Sequence, residues 1–130
     1  MGKTMFAHLT IATRDVQRTS RFYQETLGWP SIRMPGNIDL SADWLQMAPG
    51  QQLHILHVAD FSPSPFEQEF GRHFAVFHAG QDFAALQQRL ADHGAELLPP
   101  IRETPFARFF FRDPNGYMFE VIEREGYVVE

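Results

Sequence analysis

The sequence predicts an α+β fold built from two βαβββ modules, and three observations predict it. Strand-like and helix-like segments follow the same order in each half of the 130-residue chain. Distinctive residues recur at a nearly constant offset: His73 follows His8 by 65 positions, Asp82 follows Asp15 by 67, and Gly94, Gly116 and Glu120 follow Gly28, Gly50 and His54 by 66 each. Glycine or proline closes the segments at matching places, as turn residues do. Self-similarity of this kind is the mark of a duplicated unit.

Phe6–Thr13 (FAHLTIAT) reads as the first strand, being rich in β-branched and apolar residues. Asp15 then opens a helix carrying Val16, Phe22, Tyr23 and Leu27 at helical spacing, its carboxylate placed to accept from free backbone N–H groups. Gly28 and Pro30 end it. Short strands follow around Ile32, over 44–47 and over Gln52–Val58. The second half begins with a strand at His73–His78. Asp82 opens a helix with Phe83, Leu86 and Leu90 on one stripe, which Gly94 and Pro99-Pro100 end. Strands over Ala95–Leu98, Ala107–Phe111 and Tyr117–Ile122 complete the repeat. The modules are therefore expected at residues 5–60 and 71–124, joined by a proline-bearing loop at 61–70. One module alone has too little core, so a single domain over 5–124 is expected.

Composition narrows the function. A net charge of −5 argues against nonspecific nucleic-acid binding. With no cysteine there is no disulfide framework, thiolate metal site or cysteine nucleophile. No apolar run approaches the roughly 18 residues of a membrane span, and the first residues, Met1-Gly2-Lys3-Thr4, lack the apolar segment of a signal peptide. A soluble, cytoplasmic protein without nucleic-acid or membrane partners is expected.

The repeat singles out His8, His54, His73 and Glu120. Side chains alternate across a strand, so His8 shares a face with Thr10 and Ala12, His73 with Ala75 and Phe77, and Glu120 with Met118 and Ile122. An approximate twofold relation between the halves would bring the four to one centre. Three imidazoles and a carboxylate suit a divalent first-row ion, Zn, Ni, Fe, Co or Mn. His57 lies three residues beyond His54, and a one-residue bulge could exchange them. His78 and His93 have no repeat partner and read as surface or rim residues. Glu123 and Glu125 read as solvated.

The opening FAHLTIATRDVQRTSRFYQETLGW, the internal GRHFAVF and the closing FRDPNGYMFEVIE together resemble the vicinal oxygen chelate superfamily, which includes glyoxalase I, fosfomycin and bleomycin resistance proteins, methylmalonyl-CoA epimerase and extradiol dioxygenases. The resemblance covers nearly the whole chain, with its three motifs in order. It implies paired βαβββ modules forming an open, cupped mixed sheet around a metal, and carries ligand roles onto His8, His54, His73 and Glu120. Glyoxalase I usually has a glutamate where this chain has His54. Small members are commonly homodimers, so the resemblance also implies a homodimer.

The leading functional expectation is a metal-dependent lyase or isomerase of the glyoxalase type. Its small-molecule substrate would chelate the metal through adjacent oxygens, with Glu120 as ligand and proton-transfer base. Arg102 and Arg108 are candidates to hold an anionic group, and Phe110 to line the substrate site. The second expectation is a non-haem Fe(II) dioxygenase on His8, His73 and Glu120, with His54 as acid/base. The third is a non-enzymatic drug- or metabolite-binding protein, against which the intact ligand set argues.

Overall fold

The computed structural model describes residues 2–128, in two compact units divided between Phe61 and Ser62. Each unit is a four-stranded mixed sheet with one helix in βαβββ order.

In the first unit, β1 (His8–Thr13) leads into α1 (Val16–Thr26), then β2 (Ser31–Ile32), β3 (Ala42–Ala48) and β4 (Gln51–His57). The sheet order is β1-β4-β3-β2, with β1 and β4 parallel and the other neighbours antiparallel. A parallel pair needs a crossover, and α1 with the β2–β3 hairpin supplies it. Asp15 caps α1 by accepting the Arg18 N–H at 3.0 Å. Gly28 takes the chain out of the helix at φ 74°. The helix buries Val16, Thr19, Phe22 and Tyr23, and the sheet face carrying Ile11, Leu45, Leu53 and Ile55 is buried as well. Its polar residues are paired: the Thr13 and Thr19 hydroxyls are 2.8 Å apart, and Ser20 and Ser31 both donate to Asp43.

The second unit repeats the plan: β5 (Phe74–His78), α2 (Phe83–Asp92), β6 (Glu96–Leu98), β7 (Arg108–Arg112) and β8 (Met118–Glu123), in the order β5-β8-β7-β6. Its core is aromatic. Phe111 stacks on Phe119 at 5.1 Å, Phe74 meets Phe119 at 5.3 Å, and Leu86 and Leu90 of α2 are fully buried. The connector is tied down: buried Glu67 accepts the Met118 N–H at 2.8 Å, and Arg112 donates to the Glu67 carbonyl at 2.9 Å.

Several expectations shift. β1 begins at His8 instead of Phe6, which is exposed, and β5 begins at Phe74, one residue after His73. A 3-10 turn (Gly80–Asp82) precedes α2, and Asp82 makes no capping bond. Its carboxylate instead takes His78 Nε2 at 2.8 Å and Arg89 at 3.1 Å, because the turn carries it back over the end of β5. Glu123 and Glu125, read as solvated, each accept a backbone N–H, from Ala107 and Gly80 respectively. Among the described residues no helix is long and apolar enough to cross a membrane.

Candidate functional site

The strand registers explain why the repeat-related residues pair as they do. In the first unit Thr10 lies opposite His54 across the parallel β1–β4 pair, and Trp44 lies opposite His54 across β3–β4. His8, two residues before Thr10, is therefore the diagonal neighbour of His54 on the same face. In the second unit Ala75 lies opposite Glu120, and Phe110 lies opposite Glu120 across β7–β8. His73, two residues before Ala75, is the diagonal neighbour of Glu120. The pairs His8/His54 and His73/Glu120 thus hold the same register position in their own units.

The first pair is a stack. The His54 ring lies between His8 at 3.9 Å and Trp44 at 3.7 Å, all three nearly parallel. Its Nε2 donates to Gln52 Oε1 at 2.8 Å, which leaves Nδ1 as the acceptor nitrogen of the neutral ring. Burial lowers the His54 pKa, and the neighbouring His8 lowers it further, since both disfavour a charged imidazole. His57, the alternative to His54, stands exposed at the end of β4.

The second pair is polar. His73 Nδ1 lies 3.2 Å from the Gln68 carbonyl oxygen, which can only accept, so Nδ1 carries the proton. In the neutral ring that leaves a lone pair on Nε2, 3.3 Å from Glu120 Oε1. Two acceptors face each other there, an arrangement stable only with a second proton or a cation between them. A histidine whose far nitrogen donates to a backbone carbonyl is oriented as metal-binding histidines are. The donor set, one imidazole nitrogen and one carboxylate oxygen, fits a divalent first-row ion. Phe110, fully buried, sets its edge against the His73 ring at 5.3 Å.

Arg108 completes this group. Its side chain is 3% exposed and spans two carboxylates: Nη1 donates to Glu120 Oε2 at 3.1 Å and Nη2 to Glu69 Oε2 at 2.9 Å. Nη2 also reaches the Arg102 carbonyl, and the guanidinium lies 5.2 Å from the Phe110 ring centre. Arg108 Nε is buried without a hydrogen-bond partner. Glu69 accepts the N–H groups of Ile101 at 2.6 Å and Arg102 at 2.9 Å. Desolvation pushes the Glu69 pKa up, but these N–H groups and Arg108 outweigh it and leave it lowered.

The candidate residues therefore fall into two sets. His8 and His54 come together in one unit; His73, Glu120, Arg108 and Phe110 come together in the other, with Arg102 exposed on the adjoining loop. Among the described residues, no three His, Asp or Glu side chains already gather as a ready-made ion site. His78 is bonded to Asp82, and His93 donates to the Arg89 carbonyl at the end of α2. Sequence reasoning misses Glu69, because it lies in the connector, outside the repeat, where no periodicity marks a partner.

The profile of the Glyoxalase/Bleomycin resistance protein/Dioxygenase superfamily matches residues 5–121. A curated relative, Glyoxylase I 4 of Arabidopsis thaliana, is 23% identical over 91% of this chain and 70% of its own length. Another, glutathione transferase FosA of Serratia marcescens, is 29% identical over 88% of this chain and 77% of its own. Among solved structures, a mutant of the fosfomycin resistance protein FosX from Listeria monocytogenes, complexed with Mn(II) and 1S,2S-dihydroxypropylphosphonic acid, superposes with a TM-score of 0.78 at 16% identity, covering 95% of this chain and 93% of that one. FosX from Mesorhizobium loti gives a TM-score of 0.73 at 18% identity, covering 94% and 92%.

Proposed function

We propose that this chain, which belongs to the Glyoxalase/Bleomycin resistance protein/Dioxygenase superfamily, is a divalent-metal enzyme of the glyoxalase type. It would be a lyase or isomerase whose small substrate chelates the metal through adjacent oxygens. The observation that carries this reading is the His73–Glu120 pair. His73 Nε2 faces Glu120 Oε1 at 3.3 Å, and the ring is held by the Gln68 carbonyl on its other nitrogen. Within the second unit the proposed ligands are His73 and Glu120; His8 and His54 are the register-equivalent pair of the first unit.

The metal, when bound, supplies Lewis acidity that polarises the substrate's oxygens. The chain's own residues do the rest. The Gln68 carbonyl keeps His73 in the tautomer with Nε2 open. Arg108 holds Glu120 Oε2, leaving Oε1 as the ligating oxygen. That grip favours Glu120 as a fixed ligand over a mobile base. The lowered His54 pKa keeps the ring neutral near pH 7, and stacking between His8 and Trp44 fixes its plane.

A second reading, thiol transfer from glutathione, is favoured by the 29% identity to the glutathione transferase FosA. One experiment addresses both. Natively purified protein is analysed for metals, then titrated with Mn(II), Ni(II) and Zn(II) and assayed on hemithioacetals, and on fosfomycin with glutathione. Binding of one ion per chain, weakened at least about tenfold by His73→Ala, with hemithioacetal turnover, is the expected result. Glutathione consumption alone would select the second reading. Equal ion binding by the wild type and His73→Ala would refute the metal site.

A further inference from the structure

We propose that Glu69 is a positioning residue for the metal site: it holds Arg108 on Glu120 and so fixes which oxygen of Glu120 faces the ion. The inference rests on the reading of Glu120 and His73 as ligands. Glu69 lies in the connector at 61–70, between the two repeats, and no part of the duplicated pattern predicts it.

The geometry is a chain of four groups within the second unit. Backbone N–H groups of Ile101 and Arg102 fix both oxygens of Glu69, at 2.6 and 2.9 Å. Glu69 Oε2 takes Arg108 Nη2 at 2.9 Å, and Arg108 Nη1 takes Glu120 Oε2 at 3.1 Å. Glu120 Oε1 is then the oxygen left facing His73 Nε2, at 3.3 Å. The side chains of Glu69 and Arg108 are only 5% and 3% exposed, so water competes little for the guanidinium.

The guanidinium has a fixed fork. With one arm anchored on Glu69, the other approaches Glu120 from a single direction. Without Glu69, Nη2 keeps only the neutral Arg102 carbonyl, and the uncompensated charge of Arg108 is drawn to turn both arms onto Glu120 and engage both its oxygens as a two-toothed pair. That pair would take Oε1 away from the ion. Glu69 therefore works by dividing the positive charge of Arg108 between two carboxylates, one of which must stay available as a ligand.

The test uses the full chain, stripped with chelator and titrated with Mn(II), whose bound form is followed by electron paramagnetic resonance. Glu69→Gln is expected to weaken Mn(II) binding roughly tenfold, the usual scale for a residue supporting a ligand. It should also change the bound-ion spectrum and leave the far-ultraviolet circular dichroism intact. Glu69→Asp keeps the charge and should recover most of the affinity. A role confined to bracing the loop predicts the opposite order, because Gln retains the length and one acceptor oxygen for one of the two N–H groups of Ile101 and Arg102, whereas Asp is too short for either. Wild-type affinity and spectrum in Glu69→Gln, alongside lost binding in His73→Ala, would overturn this inference and leave the metal site standing. Unchanged binding in His73→Ala would overturn both. Should Glu69→Gln fail to fold, Arg108→Lys, which keeps the charge but lacks the fork, is expected to show the same loss and altered spectrum; wild-type binding there would overturn the proposal.

Discussion

Arg108→Ala tests the group at its centre. The substitution removes one guanidinium from between Glu69 and Glu120 and strands two carboxylates whose side chains are 5% and 11% exposed. Breaking a buried ion pair by removing one partner costs about 3–5 kcal/mol, because a charge is left without compensation. The lower end applies here. Glu69 keeps its two backbone N–H donors, and the residues flanking it, Gln68 and Phe70, are exposed. A loss of about 3 kcal/mol lowers the melting temperature by roughly 10 °C for a chain of this size. The assay is urea unfolding of metal-free protein followed by circular dichroism, on Arg108→Ala, Glu120→Gln and the double variant. The pair is in direct contact, so the cycle should return a coupling of about 1–3 kcal/mol. A loss under about 1 kcal/mol, with a coupling near zero, would refute the view that this guanidinium holds the site together.

Three further outcomes follow from the same geometry. Glu69 has a lowered pKa when folded, so between that value and the ordinary carboxylate range the unfolded chain binds more protons. Its stabilisation is present above the unfolded pKa and is lost as pH falls through the folded one; Glu69→Gln should flatten the acid limb of the stability curve, measured by urea midpoints from pH 6 down to about 3. Asp15→Ala removes the acceptor for the Arg18 N–H and should cost about 1 kcal/mol in a denaturation experiment. Gly116→Ala forces a Cβ onto a residue at φ 98° and within 2.8 Å of the Pro63 ring; a loss of about 1–3 kcal/mol is expected by the same measurement.

The duplicated plan is legible because its signals are local. Gly28, Gly50, Gly94 and Gly116 mark turns in the sequence, and among the described residues they are the ones with positive φ, at 74°, 76°, 90° and 98°. Left-handed backbone selects glycine whatever the tertiary context, so the turn positions can be read without a structure. Strand alternation likewise puts His8 on the face of Thr10, and Glu120 on the face of Met118 and Ile122. The register then turns those assignments into the contacts His8–His54 and His73–Glu120.

Arg108 marks where that legibility stops. Its position at the start of the seventh strand, and its charge, suggest a free cation for an anionic substrate. Alternation does place it on the Glu120 face, since Phe110 lies opposite Glu120 and Arg108 opposite Ile122. Whether such a cation waits for a ligand or is already engaged depends on what the chain lays over it. That is set by Glu69, 39 residues earlier in a loop without periodicity. A repeat records what both halves share; the connector belongs to neither. The residues that distinguish one member of a duplicated fold from another in chemistry are therefore best sought where the duplication is silent, and here the carboxylate that governs the charge around Glu120 lies in that stretch.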